Sequence, residues 1–418
     1  MEIKDIRRLS MPDAQAFIHQ HQHEQPHELV LSWRGRTDLP LAAIAEQISC
    51  RNKAKRKLPS LATTGFLFEK VALSQSTGEA VARFKRGLMK GTRLIDCTGG
   101  LGVDTLFLRE KFGEVIYCEQ SEFRRMLFKH NKTVRHADNV GVSEKDCVQT
   151  LHTVKSGSFD WAYIDPSRRN ESRRFVGLHQ CEPDVIELED LLVEKARQVC
   201  VKVSPALEIE EAEKSLKWLY GVAAVSVEGE CKEILLFLRK ASRKDERIYK
   251  KAYLLDDRGA VVFAITKQQA AATRKIRETG TYFYEPDPAL IKADVLTEVA
   301  ERFDLSFIHE YSAYMTADDY VKDFPGRSFE VQALSVWNRK KFKRYLEEHS
   351  IAKAHVSRRW FPLSVEEIRA RFGLKDGGED YFFFTRDMKG CCIVVHCRKA
   401  GAPHSSGRKR TGRTPSPW

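Results

Sequence analysis

The chain has 418 residues, 42% of them hydrophobic, with 70 Lys and Arg against 58 Asp and Glu and a formal net charge of +12. That length exceeds one ordinary core and predicts two to four domains. No run of 18 apolar residues appears, the N-terminal stretch MEIKDIRRLSMPDAQ has no signal-peptide apolar region, and the ten cysteines form no C-x-x-C pair. These features argue against a membrane-spanning helix or a disulfide framework and predict a cytoplasmic protein with reduced thiols.

Residues 1–82 read as an N-terminal helical region: an Asp13-led pattern, then LPLAAIAEQISCRNKAKRKL, then ATTGFLFEKVAL. His19, His21, His23 and His27 alternate there without a Cys or carboxylate framework, so a polar helix is favoured over a metal site. Ser76-Thr77-Gly78-Glu79 has the form of a capping box opening a helix that runs to about Met89.

From residue 91 the pattern alternates strand and helix, as in a parallel sheet. Residues 92–119 read TRLIDCTGGLGVDTLFLREKFGEVIYCE. The apolar Leu94-Ile95 ends in Asp96, and Gly99, Gly100 and Gly102 follow in a strand-to-helix turn. Such glycines let backbone pass close to a ligand. A second apolar strand, Val115 to Tyr117, ends near Glu119, placed for the two hydroxyls of a ribose. The turn lacks the third glycine of a dinucleotide fingerprint, whose pyrophosphate sits on a helix N-terminus. A nucleoside without phosphates fits better, and Asp96 suits the ammonium of a methionine moiety, directly or through water.

At these residues the sequence resembles the class I S-adenosylmethionine-dependent methyltransferases, whose first motif is an acidic residue followed by G-x-G. Gly100 and Gly102 match that pair, and Thr98 stands where many members have another glycine. The resemblance implies S-adenosyl-L-methionine as cofactor, held by Asp96, Thr98, Gly99, Gly100, Gly102, Glu119 and Gln120. Asp146, with Cys147 beside it, stands where the family often sets a carboxylate against the adenine amino group. The segment before the first strand often closes over the cofactor in such enzymes, which makes Gln75 to Thr77 contact candidates.

Phe159 to Ile164 reads as a buried strand running into Asp165-Pro166-Ser167-Arg168. This resembles the D-P-P-[aromatic] motif of enzymes that methylate exocyclic base nitrogens. There the carboxylate and a backbone carbonyl accept the amine N–H groups and aim the lone pair at the methyl. Ser167 replaces the second proline and Arg168 the aromatic, although a guanidinium plane can also stack on a base. A D-P-P-R version occurs in uridine-C5 enzymes, which need a nucleophilic Cys. Cys181, Cys200 and Cys231 lie downstream, but in no matching motif, so the acceptor atom stays open. Arg168, Arg169, Arg173 and Arg174 follow at the mouth of the expected active site, as phosphate contacts or a solvated loop. Val199–Val203 reads as the fifth strand, a helix spans about Glu208 to Tyr220, and Ala223–Val227 and Glu233–Leu238 close the sheet. That ending matches the methyltransferase pattern, in which the seventh strand is antiparallel.

Beyond residue 240, KKAYLLDDRGAVVFAIT predicts a hairpin turning at Asp256–Gly259. A strand, a helix over Ala289 to Phe303 and a further strand then resemble a ferredoxin-like half. Next come a strand (Arg327–Ala333), a basic helix (Asn338 to Glu348), a strand near Ala354–Val356 and a helix capped by Ser364 and Glu367. LKDGGEDYFFFT and GCCIVVHCR read as closing strands, with Cys391, Cys392, His396 and Cys397 as packing groups. With its F-P-L-S and L-K-D-G-G strings, this region resembles the THUMP-like domain that follows methyltransferase domains in a bacterial family. THUMP relatives bind RNA ends.

The expected fold is therefore α/β: an N-terminal helical region (1–82), a Rossmann-like methyltransferase sheet (83–240), a ferredoxin-like unit (241–322), an α+β THUMP-like domain (323–397) and a basic disordered tail (398–418). Of the net charge, +6 falls in 398–418, +4 in 323–397 and +2 in 1–322. Arg339, Lys340, Lys341, Lys343 and Arg344 read as a solvated helix face or as an RNA track, and Arg358, Arg359 and Trp360, which join charge to a stacking surface, favour RNA. The expected function is methylation of a base, favouring a nitrogen, in tRNA or rRNA, with no membrane and no obligate protein partner. The alternatives are an RNA-binding or assembly module with a catalytically silent methyltransferase fold, or a protein methyltransferase.

Overall fold

The computed structural model describes residues 1–63, 65–168, 177–240, 247–268 and 273–401, apart from the Arg168 side chain. Arg169, Arg173, Arg174 and residues 402–418 lie outside this set. The chain forms two compact units, the first holding most of residues 1–262 and the second chiefly Phe263 onward.

The first unit begins with six helices: α1 (Ile3–Leu9), α2 (Pro12–Gln20), α3 (Pro26–Ser32), α4 (Leu41–Lys57), α5 (Lys70–Gln75) and α6 (Glu79–Leu88). The expected capping box does not form. Gly78 is the N-cap of α6, and no side chain bonds its first turn. The Thr77 hydroxyl instead donates to the buried Asp104 carboxylate at 2.7 Å, and Glu79 accepts from Ser60 and Arg83. Both groups that the local pattern set aside for a cap are thus engaged in tertiary bonds.

Strands β1 (Gly91–Asp96), β2 (Phe112–Tyr117), β3 (Val140–Val142) and β4 (Phe159–Ile164) alternate with helices α7 (Val103–Leu108), α8 (Glu122–Val134) and α9 (Cys147–Thr153). The short strands β5 (Ser167–Arg168) and β6 (Cys181–Glu182) pair with each other. Then come α10 (Val185–Lys195), β7 (Ala196–Val203), α11 (Ile209–Ser215), β8 (Leu219–Val227) and β9 (Glu230–Leu238). These seven longer strands lie in the order β3-β2-β1-β4-β7-β9-β8. β1 to β4 and β7 pair in parallel, while β9 runs antiparallel to β7, as expected. Their continuous apolar runs follow from burial of both sheet faces. The β order reverses direction at β1 and β4, where an open α/β sheet leaves a crevice at its carboxyl ends.

β10 (Tyr249–Leu255) and β11 (Val261–Thr266) form the predicted hairpin, with Gly259 at φ 87° and its N–H bonded to the Asp256 carbonyl. In the second unit the helix expected over Ala289 to Phe303 is two helices, α12 (Pro288–Lys292) and α13 (Leu296–Phe303). Asp294 between them adopts φ 55°, a left-handed conformation that no helix can continue. β12 (Tyr282–Pro286), β13 (Ser306–Phe307), β14 (Met315–Ala317), β15 (Gly326–Val336), β16 (His355–Arg358), β17 (Asp380–Arg386) and β18 (Cys392–Lys399) build one sheet in the order β13-β14-β12-β15-β18-β17-β16. Of the expected ferredoxin-like segment (241–322), β12 to β14 thus share one sheet with the expected THUMP-like segment, whereas the β10–β11 hairpin is not part of it.

Two helices complete that unit. In α14 (Arg339–Glu348), Phe342, Tyr345 and Leu346 face the core and the five basic residues face outward. Lys343 and Arg344 sit four residues before Glu347 and Glu348, within ion-pair range. α15 (Val365–Phe372) starts with the full Ser364–Glu367 capping box. His396 is buried against Asp380 and the Tyr345 hydroxyl, a packing role, as expected. No helix among the described residues is long and apolar enough to cross a membrane.

Candidate active site

Adjacency of β1 and β4 brings together two turns that are distant in sequence. Cys97 N–H bonds the Tyr163 carbonyl, and the Asp165 N–H donates to the Thr98 hydroxyl at 2.6 Å. The threonine that departs from the glycine pattern therefore fastens one turn to the other. Around them opens a cavity of about 940 Å³, within the size range of ligand pockets.

Asp96, Thr98, Gly99, Gly100, Glu119, Gln120, Cys147, Asp165, Pro166 and Ser167 all line this cavity. Gln75, Ser76 and Thr77 line it as well. Gly102 stands behind it at φ 81°, with a position for a Cβ only 2.1 Å from the Phe128 ring. A Cβ on Gly99 would meet the Tyr117 ring at 1.9 Å. These two glycines are required by the stacked Tyr117–Phe128 pair beneath the turn. Gly100 differs, because at φ 55° a Cβ would meet only the Thr98 carbonyl, at 3.8 Å. Its N–H donates to Glu119 Oε2 at 2.9 Å, and the Ser121 N–H holds Glu119 Oε1 at 2.8 Å. Glu119 is thus fixed at the rim, half-buried.

Asp96 lies deeper. It is 1% exposed, and its oxygens accept the Thr98 N–H and the Thr105 hydroxyl. Burial pushes its carboxyl up to about 7, against the smaller lowering effect of those two bonds. Asp146 does not line the cavity; its carboxylate caps α9 through the Gln149 N–H at 2.8 Å. Cys147, the first residue of that helix, does line it and is hydrogen-bonded with Cys97.

Beneath Asp165 lies a network the motifs did not disclose. The Lys85 ammonium is fully buried and meets Asp104 at 2.8 Å, Glu233 at 3.1 Å and the Tyr163 hydroxyl at 2.9 Å. Tyr163 also donates to Asp104, at 2.8 Å. Lys202, near the end of β7, pairs with Asp165 and approaches the Thr77 hydroxyl at 3.3 Å. Burial opposes the charge on both lysines, yet the carboxylates around them raise their affinity for the proton. Burial likewise disfavours the Asp104 anion, but Lys85 and Lys202 outweigh it and hold that carboxyl below its ordinary value. For Glu233 burial dominates and raises the carboxyl. The sequence signal was a charge within or at the edge of an apolar run: Lys202 in VCVKV, Glu233 in EILLF, Asp104 in VDTLFL.

The wall of the turn carries Asp96, Asp104 and Glu119. Arg124, Lys202 and Lys232 line the same cavity, so it carries both signs of charge, with Glu119 at the turn as the carboxylate suited to a ribose. Among the described residues no group of three His, Cys, Asp or Glu side chains could hold a metal ion.

Residues 326–399 match a family described as THUMP domain-like, and residues 282–325 one described as a ferredoxin-like domain. Two curated relatives, each an uncharacterised S-adenosylmethionine-dependent methyltransferase from a strain of Mycobacterium tuberculosis, are 24% identical over 79% of this chain and 89% of theirs. A crystal structure from Porphyromonas gingivalis W83, assigned to a methyltransferase, superposes with a TM-score of 0.79 at 26% identity, over 96% of this chain and 100% of the other.

Proposed function

The chain belongs with the class I S-adenosylmethionine-dependent methyltransferases that carry a C-terminal THUMP-like domain, and from that premise we propose that it methylates a base, at a nitrogen, in structured RNA such as tRNA or rRNA. One observation carries this reading: a single cavity joins the Gly99–Gly102 turn and Glu119 to Asp165 and Pro166. A cofactor nucleoside and a target base both need room there, and the volume of about 940 Å³ supports that.

S-adenosylmethionine would supply the electrophilic methyl group. Glu119 would accept from the ribose hydroxyls, and the N–H groups of the turn would hold its approach. Asp96, below the turn, fixes Thr98 and Thr105 and would face the methionine ammonium directly or through water. Asp165 and the Pro166 carbonyl would accept the acceptor amine's N–H bonds and aim its lone pair. The Asp165 carboxylate would also take the proton that the acceptor nitrogen releases on methylation. Lys202 pairs with that carboxylate and occupies one face of it. Catalysis by this arrangement would combine positioning with one proton acceptor. The THUMP-like segment and the outward basic face of α14 support RNA as the substrate class.

Tritiated cofactor incubated with total RNA from a deletion strain tests the proposal. Label entering RNA with wild-type protein and lost with Asp165→Asn supports it. The Lys202–Asp165 pair gives specific support to a second reading, an RNA-binding module that transfers nothing. Measurable RNA binding without label would favour that module, and label in protein would redirect the substrate class.

A further inference from the structure

The second unit has a cavity of its own, about 550 Å³, lined by His309, Tyr311, Trp360, Phe361, Pro362 and Arg386. We infer that it binds an unstacked nucleobase of a single-stranded RNA segment. This deepens, and rests on, the RNA reading proposed for the chain.

Two large rings stand open to solvent there: Tyr311 is 61% and Trp360 59% exposed. Their centroids lie 5.8 Å apart, and His309 lies 5.7 Å from Tyr311. Exposed aromatics clustered this closely mark a binding surface, because water contact with each ring is unfavourable. The rings are also held in place. The Trp360 indole N–H donates to the Tyr311 carbonyl at 2.9 Å, and the Arg386 guanidinium donates to the Trp360 carbonyl at 3.1 Å and the Gly390 carbonyl at 2.9 Å. Trp360 itself adopts φ 56°, a strained conformation for a bulky residue. Strain of this kind persists where surrounding bonds impose it, and here they present the indole to solvent. A platform fixed before binding loses little side-chain entropy on binding.

Charge selects the occupant. Arg358, Arg386 and Lys389 are exposed around the rings. The nearby carboxylates are Glu310, engaged with the Tyr311 hydroxyl, and Asp387, whose Oδ1 accepts the Lys389 and Cys391 N–H groups. A nucleotide matches this combination, with a base to stack and a phosphate for the guanidinium. A methylated lysine would be repelled by Arg386, and a proline-rich peptide would leave the cations without an anion. The parallel pairing of β16 and β17 sets the ends of those strands, and so Trp360 and Arg386, side by side.

The test is fluorescence anisotropy of a labelled single-stranded oligoribonucleotide of about ten residues with the full chain. One stacked base is worth about 5- to 100-fold in affinity, so Trp360→Ala should weaken binding by that factor and Trp360→Phe should restore most of it. Tyr311→Ala should weaken binding less. Calorimetry with S-adenosylmethionine should give the same affinity for all three variants. Equal oligonucleotide affinity for wild type and Trp360→Ala overturns the inference, as does tighter binding of a proline-rich or methyl-lysine peptide that depends on Trp360. Trp360-dependent binding without methyl transfer to RNA would sink the proposed reaction and leave this site standing. Transfer retained with Trp360-independent binding does the reverse.

Discussion

Asp96→Asn isolates one carboxyl whose burial has a calculable effect. In water an aspartate has a pKa near 4, but Asp96 is held at about 7 by burial. A carboxyl raised in the native state keeps a proton that the unfolded chain has released. Native stability from this group is therefore complete below the ordinary pKa and is lost as pH rises through about 7. Each pH unit across which the two states differ by one proton changes stability by about 1.4 kcal/mol, so wild type should lose about 2 kcal/mol between pH ~5.5 and ~8 from Asp96 alone. Asparagine keeps an acceptor for the Thr98 N–H and offers a donor to the Thr105 hydroxyl, without the charge. Urea unfolding at several pH values should show the difference between wild type and Asp96→Asn shifting toward the variant by that amount. A flat difference across the range would refute the argument that Asp96 is buried with its proton. If Asp96 also faces the cofactor ammonium, cofactor affinity should rise with pH in wild type and stay level in the variant.

Three further substitutions probe the same region. Lys85→Met leaves Asp104 and Glu233 without their buried cation; a loss of about 3–5 kcal/mol in urea unfolding is expected, and less than 1 kcal/mol would contradict the pairing. Gly102→Ala drives a Cβ into the Phe128 ring, so it should cost more than Gly100→Ala, whose penalty is only the about 1–2 kcal/mol of left-handed backbone. In calorimetry with S-adenosylmethionine the order should reverse among folded variants, since only Gly100 faces open cavity. Asp165→Asn should bind cofactor like wild type yet lose transfer by about 100-fold or more, because an amide oxygen orients an N–H but cannot accept the departing proton; retained turnover would remove Asp165 from the reaction.

How far the site could be read from sequence follows from where its parts come from. The glycine turn, Glu119 and the Asp165-Pro166 step sit directly after strands, so local pattern located them, and strand order brought them together. Asp146 had the right place in the chain, but its carboxylate caps α9 through the Gln149 N–H three residues on and does not line the cavity. At Ser76 to Glu79 and at Asp294, local helix rules lost to a buried carboxylate and to a left-handed residue. The ion network was out of reach of any motif, because Lys85, Asp104, Lys202 and Glu233 come from four separate elements. Together with Asp165 they set two ammonium groups among three carboxylates. Burial raises the Glu233 carboxyl, while the lysines hold Asp104 low. The sequence must keep all five members, since removing either lysine leaves a buried negative charge directly beneath the acceptor site.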